Sequence, residues 1–356
     1  MRRYFRFLIH IVIFILSAFF LVLVLQQVGY YKVGTVLRGC EWILLPPAFL
    51  AMSGRFLSWN LKWTILTRIQ FPARFWRLYP ILMAGIFTNT VVPGTRAGGG
   101  LVRAFFLSRC AGRPFAQCYG SVLLDGAFNM AAFLILALSA LPFVALSSSI
   151  TAPRTSGLTI LLAMVFVLVF ALLALMHRRR RKATGIAPIV TFLHHLLPAR
   201  RKVHFSTPAD LQTWILERGR ESLAAFRSLP NQPGSFWLSA LLGLMVYGFL
   251  VLCSDLLFRS LGHPVGILPI VSAVTLSGAL GAFFMTPGGI GVADATLVGV
   301  YLAFGIELEL ALAVSILYRL MLYGHQLLVG FPCLIILQWR FGRVRPDRVG
   351  NGVIPQ

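Results

Sequence analysis

Long apolar runs separated by short clusters of basic residues dominate the pattern of this 356-residue chain. Many of these runs reach about 18 residues or more, the length at which an α-helix crosses a hydrocarbon core of about 30 Å. The clear runs are 7–25, 42–59, 119–141, 158–175, 236–258 and 310–337. The pattern therefore predicts an all-α integral membrane protein with about six full spans.

Two further apolar segments, 78–93 and 267–285, end in Pro-Gly breaks that contain extra glycines. A charged residue follows the last glycine of each break by three positions, Arg103 after Gly100 and Asp294 after Gly291. Broken glycine-rich segments at corresponding places in two halves of a membrane protein indicate a transporter's binding site. The hinge candidates are the prolines and glycines of the breaks: Pro93, Gly94, Gly99, Gly100, Pro287, Gly288, Gly289 and Gly291.

Loop charge predicts the orientation of the spans, because basic residues collect on the cytosolic side of a membrane. With a cytosolic N-terminus, the loops alternate between basic and nearly uncharged. The 32 Lys and Arg residues then lie mostly in cytosolic loops. The outside loops hold Lys32, Arg38, Arg154 and Arg259, and the apolar or broken segments hold Arg55, Arg96, Arg103 and Arg319. Both termini are predicted to be cytosolic.

Each Pro-Gly segment must begin and end on one side of the membrane, because its flanking loops carry the charge of the same side. The return limbs, 101–107 and 290–304, are short for full spans. We favour two re-entrant hairpins with the breaks at their tips, since broken backbone at that depth must be buried in protein or face a water-filled cavity. A kinked span followed by a second short span is the alternative, which gives six to eight transmembrane segments.

The two hairpins enter from opposite sides, so the halves form an inverted-topology repeat. The spacing agrees, because Pro93 precedes Asp125 by 32 residues and Pro287 precedes Arg319 by 32 residues. The predicted divisions are a first repeat (1–150), the first span of the second repeat (151–176), a basic cytosolic loop (177–235), the rest of the second repeat (236–340) and a basic cytosolic tail (341–356). Within the loop, 210–227 is either an amphipathic helix on the membrane surface or part of a solvated linker.

Ionisable residues inside apolar segments are candidates for a functional site, because an unpaired charge in the membrane costs several kcal/mol. They are Arg55, Arg103, Asp125, Asp255, Asp294 and Arg319, with Arg96 near a hairpin tip. The substrate-binding candidates are Arg96, Arg103, Asp125, Asn129, Asp294, Tyr318 and Arg319. Two interpretations stay open: ion pairs such as Asp125 with Arg103 and Arg319 with Asp294 that hold the hairpins, or arginines that bind the phosphate of a lipid headgroup.

Composition excludes several other classes of function. The hydrophobic fraction of 58% and the lack of a large polar region leave no room for a soluble catalytic domain, and no nucleotide-binding, hydrolase or metalloprotease motif occurs. The five cysteines lack metal-ligand spacing. We therefore expect no enzyme activity, no cofactor and no metal. In a membrane chain, the net charge of +22 indicates orientation by basic loops, and we expect no nucleic-acid partner.

The same broken segments resemble the two signatures of the flippase-like family that includes the membrane domain of lysylphosphatidylglycerol synthases. The first runs from Asn89 to Arg103 and continues through Leu107-Ser108-Arg109 and Gly112; the second runs from Thr286 to Val292 and continues through Gly305 and Tyr318-Arg319. The chain departs from the family pattern at Gly126, where an arginine is usual after the acidic residue, and at Asp294, where glutamate is frequent. It lacks the soluble aminoacyl-transferring domain, so the resemblance implies no synthase activity.

The resemblance implies a protein of the bacterial inner membrane that moves a phospholipid or lipid-linked precursor between leaflets. Its expected partner is a membrane lipid with an anionic or modified headgroup. The alternative is a non-transporting partner that docks a lipid-modifying or envelope-biosynthesis enzyme through the basic loop 177–235. An ion or solute carrier is a third, weaker hypothesis.

Overall fold

The computed structural model of the protein describes residues 30–91, 96–151, 229, 232–283 and 292–341. Within these ranges the chain is helical and forms no β-strand. The helices are α1 (Tyr30–Arg38), α2 (Leu45–Arg68), α3 (Phe75–Val91), α4 (Arg96–Ala111), α5 (Phe115–Thr151), α6 (Pro233–Ser260), α7 (Ile267–Phe283), α8 (Val292–Ala303), α9 (Leu308–His325) and α10 (Phe331–Phe341). A short 3-10 helix (Trp42–Leu44) precedes α2, and a π-helical turn (Gln326–Gly330) joins α9 to α10.

Proline and glycine set several helix boundaries. Helices α2 and α6 each have proline in the first turn, where the missing N–H costs no hydrogen bond. Gly112, Gly262 and Gly305 have φ values of 62°, 75° and 77°, a left-handed conformation that ends the helices before them. Two of these glycines therefore end α4 and α8, the return limbs of the two predicted hairpins.

Three stretches within the described ranges are long and apolar enough to cross a membrane: Phe115–Ser139, Pro233–Ser260 and Leu308–Phe341. They contain the predicted spans 236–258 and 310–337 and nearly all of 119–141. Large apolar side chains such as Leu241, Leu328 and Ile336 point outward and are more than half exposed. An apolar outer surface of this kind suits contact with lipid rather than water.

The predicted span 42–59 is wrong in its boundaries. Helix α2 begins at Leu45 and continues to Arg68, so the segment beyond Trp59 is not a loop. Lys62, predicted to lie in a cytosolic loop, is fully buried. The periodicity of apolar residues ends near Trp59 because later turns of this helix pack polar side chains against other helices.

Both Pro-Gly segments contain two helices that pack on each other, α3 on α4 and α7 on α8. In the first hairpin, the Gly99 N–H donates a hydrogen bond to Asn89 Oδ1 (2.7 Å), which joins the two limbs near the tip. A Cβ atom at Gly85 would lie only 2.8 Å from the carbonyl oxygen of Gly99, so the limbs approach backbone to backbone. These glycines allow the limbs to pack closely.

Among the described helices, α2 and α6 form the most extensive contact. The Glu41 N–H donates to the Ser260 carbonyl oxygen (2.6 Å) where α2 begins and α6 ends, so these two helices are antiparallel. Around them, α5 packs on α7 of the second hairpin, while α10 and the π-helical turn pack on α3 of the first.

Several predictions concern residues outside the described ranges. They are the first span (7–25), the span 158–175, nearly all of the basic loop 177–235, and the tail from 342 onward. The hinge candidates Pro93, Gly94, Pro287, Gly288, Gly289 and Gly291 also lie outside.

Candidate functional site

Asp125 on α5 is fully buried and is held by cations from two other helices. Its Oδ2 lies 2.8 Å from Nη2 of Arg103 on α4, and its Oδ1 lies 3.0 Å from Nζ of Lys62 on α2. Trp59 Nε1 donates a third bond to Oδ2 (2.9 Å). A buried carboxylate requires such compensation, since its desolvation costs several kcal/mol. We call Asp125, Arg103, Lys62 and Trp59 the Asp125 cluster.

Lys62 has further oxygen partners on α5. Its ammonium donates to the Asp125 carbonyl oxygen (3.2 Å) and to Asn129 Oδ1 (2.5 Å). Asn129 lies one helical turn after Asp125, so both side chains face Lys62 on α2. The spacing predicts this shared face. The Tyr247 hydroxyl on α6 in turn donates to the Asn129 carbonyl oxygen (3.4 Å).

The position of Arg103 depends on an aromatic ring and a glycine. Its guanidinium carbon lies 4.0 Å from the ring centroid of Trp63, a geometry that favours cation–π attraction. A Cβ atom at Gly85 would lie 2.5 Å from Arg103 Cγ, so the glycine in α3 makes room for the aliphatic part of this side chain. Hairpin packing and the ion pair are therefore coupled.

A second ion pair joins α8 to α9. Arg319 Nε lies 2.5 Å from Asp294 Oδ1, and Arg319 Nη1 donates to the Tyr323 hydroxyl (3.1 Å). The Arg319 and Asp294 side chains are 16% and 18% exposed, so this pair is more accessible than the Asp125 cluster. Tyr318, another substrate-binding candidate from the sequence, precedes Arg319 on α9 and is partly buried.

Each of the two ion pairs joins the return limb of a hairpin to the helix that follows it. The positions of the two charges are reversed between the pairs. The arginine is on the return limb in the first pair and the carboxylate is on the return limb in the second. Both ion pairs proposed from the sequence are therefore present.

The remaining predicted residues take different places. Gly99 lies at the closest approach of the first hairpin, while a Cβ atom at Gly100 would make only an ordinary contact of 3.5 Å with Val122. Arg96 begins α4, and its side chain lies outside the described part of the structure. Asp255 is not part of a buried site, because it forms an i,i+4 ion pair with Arg259, which is 56% exposed.

Sequence reasoning missed Lys62 and Trp59, which complete the Asp125 cluster. A signal for both exists in α2, where Arg55, Trp59 and Lys62 are spaced by four and three residues and so share one helix face. His325 is buried, and its ring centroid lies 5.3 Å from that of Phe49 and 4.6 Å from that of Phe56.

Arg55, the first residue of that face, has a different environment. Its guanidinium carbon lies 4.9 Å from the Phe56 ring centroid and 5.7 Å from that of Trp59, and Nη1 lies 3.8 Å from the Met52 sulfur. Its Nε is buried and makes no hydrogen bond to any described residue. Among the described residues, the interior thus combines two paired carboxylates with a surplus of cations. Among the residues that the structure describes, no three His, Cys, Asp or Glu side chains lie together as metal ligands would.

Comparison with known proteins agrees with this all-helical architecture. Residues 7–330 match the family described as the lysylphosphatidylglycerol synthase TM region. A UPF0104 membrane protein of Methanocaldococcus jannaschii is 23% identical over 335 residues, which cover 92% of this chain and 94% of the relative. Another, of Pyrococcus horikoshii, is 21% identical and covers 77% of this chain and 81% of the relative. The chain is a multi-pass membrane protein that belongs to the lysylphosphatidylglycerol synthase transmembrane-region family.

Proposed function

We propose that this protein moves a phospholipid or a lipid-linked precursor between the two leaflets of the cytoplasmic membrane. The observation that carries the proposal is the buried Asp125 cluster, together with the Asp294–Arg319 pair, inside a bundle whose outer surface is apolar. Charged side chains within spans are costly and usually mark the path of a polar substrate. A lipid translocator needs such a path, since it must carry a polar headgroup past the hydrocarbon core.

The packing of the helices supports an inverted repeat. If α2, α3, α4 and α5 are paired with α6, α7, α8 and α9–α10, each contact in one half has a counterpart in the other. Helix α5 packs on α7, and α10 with the π-helical turn packs on α3; α4 packs on α5, and α8 packs on α9. Transporters with this symmetry bind substrates near the midplane, where broken segments of both halves meet.

Helix length supports re-entrant hairpins. Helices α3, α4 and α7 have 17, 16 and 17 residues, and α8 has 12. At 1.5 Å per residue, the longest reach about 25 Å and α8 about 18 Å, less than the hydrocarbon thickness of about 30 Å. We propose that the limbs enter the membrane and return, with their tips near the substrate path.

Exposed tryptophans support placing these helix ends at a membrane–water interface, and loop charge supports a cytosolic position for both termini. Trp76, Trp237 and Trp339 lie near the ends of α3, α6 and α10 that the charge rule assigns to the cytosol, and each is at least 70% exposed. Tryptophan concentrates at the membrane–water interface. In this proposal the chain carries out transport rather than catalysis, and its partner is a lipid with an anionic or modified headgroup.

Leaflet-resolved lipid analysis tests the proposal in cells. Membranes from cells with and without the protein should differ in how one lipid class is divided between leaflets, while total lipid composition stays the same. Cells that produce the Arg103→Ala or Arg319→Ala variant at the normal level should match cells that lack the protein. Identical leaflet composition in all strains would rule out translocation of the lipids measured.

A further inference from the structure

Arg55 is a partly buried cation whose charge no described carboxylate neutralises. A guanidinium has five N–H donors, but the hydrogen-bonding contact of Arg55 among the described residues is the long one from Nη1 to the Met52 sulfur. Two aromatic rings cover part of its surface, and its Nε is buried without a partner. Leaving a charge uncompensated inside a protein is strongly unfavourable. An anion from outside the chain would supply the missing acceptors.

The charges of the surrounding site point the same way. The described interior contains four cations, Lys62, Arg103, Arg319 and Arg55, against two carboxylates, Asp125 and Asp294. Asp125 already binds two of the cations, and Asp294 binds Arg319. The titratable groups that act on Arg55 most strongly are Tyr318, Tyr247 and Cys253, which are neutral in their protonated forms. The carboxylates of the described interior therefore leave positive charge for a ligand to balance.

Arg55 lies beside the Asp125 cluster. Its guanidinium carbon lies 5.7 Å from the ring centroid of Trp59, and Trp59 Nε1 donates to Asp125. Since the side chain of Arg55 is only partly buried, some of it is reachable from outside the packed interior. A ligand at Arg55 would therefore lie next to the Asp125 cluster.

An apolar groove lies two helical turns away along α2. Its walls are Trp42, Leu45, Pro46, Phe49, Leu50 and Met321. Phe49 packs against one face of His325, and the other neighbour of that ring, Phe56, lies under Arg55. The groove and the arginine therefore share one aromatic wall. A molecule with a hydrocarbon chain and an anionic head fits both, whereas a free phosphate ion would use only the arginine.

We propose that Arg55 binds the phosphate of an anionic lipid, with an acyl chain of that lipid in the apolar groove. Arg103 and Arg319 then serve mainly to hold the two hairpins, because their charges are taken by carboxylates. The choice of a lipid as the ligand rests on the proposed function. Binding at Arg55 is nevertheless a separate property from movement of the lipid between leaflets.

Lipid binding to the full-length protein in detergent micelles tests this assignment. The probes are phosphatidylglycerol, zwitterionic phosphatidylcholine and inorganic phosphate, and native mass spectrometry gives the bound fraction of each. The variants are Arg55→Gln, Arg55→Lys and, as a control, Arg113→Gln, which removes an exposed arginine near Phe71, beyond the opposite end of α2 from the groove. We expect the wild-type protein to bind phosphatidylglycerol more tightly than phosphatidylcholine. Arg55→Gln should bind phosphatidylglycerol about tenfold more weakly or worse, because a hydrogen bond from a charged donor is lost.

Arg55→Lys should fall between them, because lysine keeps the charge but lacks the planar fork that suits phosphate oxygens. Arg113→Gln should bind as wild type does. Thermal unfolding without lipid should occur at the same or a higher temperature in Arg55→Gln, since the substitution removes a partly buried charge that no described residue neutralises. That result separates loss of binding from loss of folding.

Three results would overturn the inference. The first is the same affinity for phosphatidylglycerol in wild type and Arg55→Gln, and the second is a wild-type affinity for phosphatidylcholine equal to that for phosphatidylglycerol. The third is displacement of bound phosphatidylglycerol by millimolar inorganic phosphate. If Arg55→Gln unfolds early, the Arg55→Lys comparison decides in its place. Binding without translocation would contradict the proposed function alone, and translocation with unchanged binding in Arg55→Gln would contradict this inference alone.

Discussion

Lys62 Nζ lies 3.0 Å from Oδ1 of Asp125, and neither side chain is exposed at all. The other carboxylate oxygen, Oδ2, is bound by Arg103. One carboxylate on α5 therefore connects α2 with α4, the return limb of the first hairpin. Helices α2, α4 and α5 therefore meet at the Asp125 carboxylate. Its negative charge holds the three helices together.

Replacing Asp125 with Asn should destabilise the protein strongly. The variant leaves Lys62 and Arg103 without their carboxylate in a buried site, and breaking one side of a buried ion pair costs about 3–5 kcal/mol. Thermal unfolding in detergent, followed by circular dichroism, measures the effect. The Lys62→Met/Asp125→Asn double variant should recover part of the loss, because only Arg103 then remains uncompensated. A double variant that is less stable than Asp125→Asn would contradict this arrangement.

The Asp294–Arg319 pair should contribute less than the Asp125 cluster. Both side chains are partly exposed, so water compensates an unpaired charge better there. We expect Asp294→Asn to lower stability less than Asp125→Asn does, and the double-mutant cycle with Arg319→Gln to give a coupling of about 0.5–3 kcal/mol. Additive effects of the two substitutions would show that the contact has no energetic role.

A methyl group at Gly99 should disrupt the first hairpin. The Cβ atom of Gly99→Ala would lie 2.6 Å from Asn89 Cγ and would also meet the Gly85 carbonyl oxygen. Overpacking of this kind costs about 1–3 kcal/mol. The matched control is Gly126→Ala on α5, where a Cβ atom meets nothing within 4 Å. Unfolding temperatures should fall for Gly99→Ala and stay the same or rise for Gly126→Ala; equal behaviour would contradict the close approach of the limbs.

Cysteine accessibility tests whether the hairpins open on opposite sides. Arg113 follows the first hairpin and His263 precedes the second, and both are exposed. In a background without the five native cysteines, Arg113→Cys should react with a membrane-impermeant maleimide only after the cells are opened. His263→Cys should react in intact spheroplasts. Labelling of both from the same side would exclude an inverted repeat.

Much of the site follows from sequence because a buried charge is conspicuous in an apolar segment. Asp125, Asp294, Arg103 and Arg319 stand out in this way, and opposite charges on consecutive segments predict the ion pairs that the structure contains. The one-turn spacing of Asp125 and Asn129 likewise predicts their shared face.

Lys62 could not be assigned by the same reasoning. It lies near Arg68 and Arg74, so loop charge alone places it in the cytosol. Its burial depends on partners distant in sequence, Asp125 and Asn129, which an isolated α2 does not reveal. The sequence also does not show that Asp255 pairs with Arg259 and so does not balance the positive charge near Arg55.

Lipid movement in proteoliposomes tests the central claim most directly. Vesicles that contain fluorescent phosphatidylglycerol are treated with an impermeant reductant that quenches the label in the outer leaflet. With wild-type protein, translocation should make nearly all of the label accessible, and Arg113→Gln should behave in the same way. Folded Arg55→Gln should leave the inner-leaflet fraction protected, as in protein-free vesicles. If wild-type protein leaves that fraction protected as well, the chain does not move this lipid and the account is contradicted.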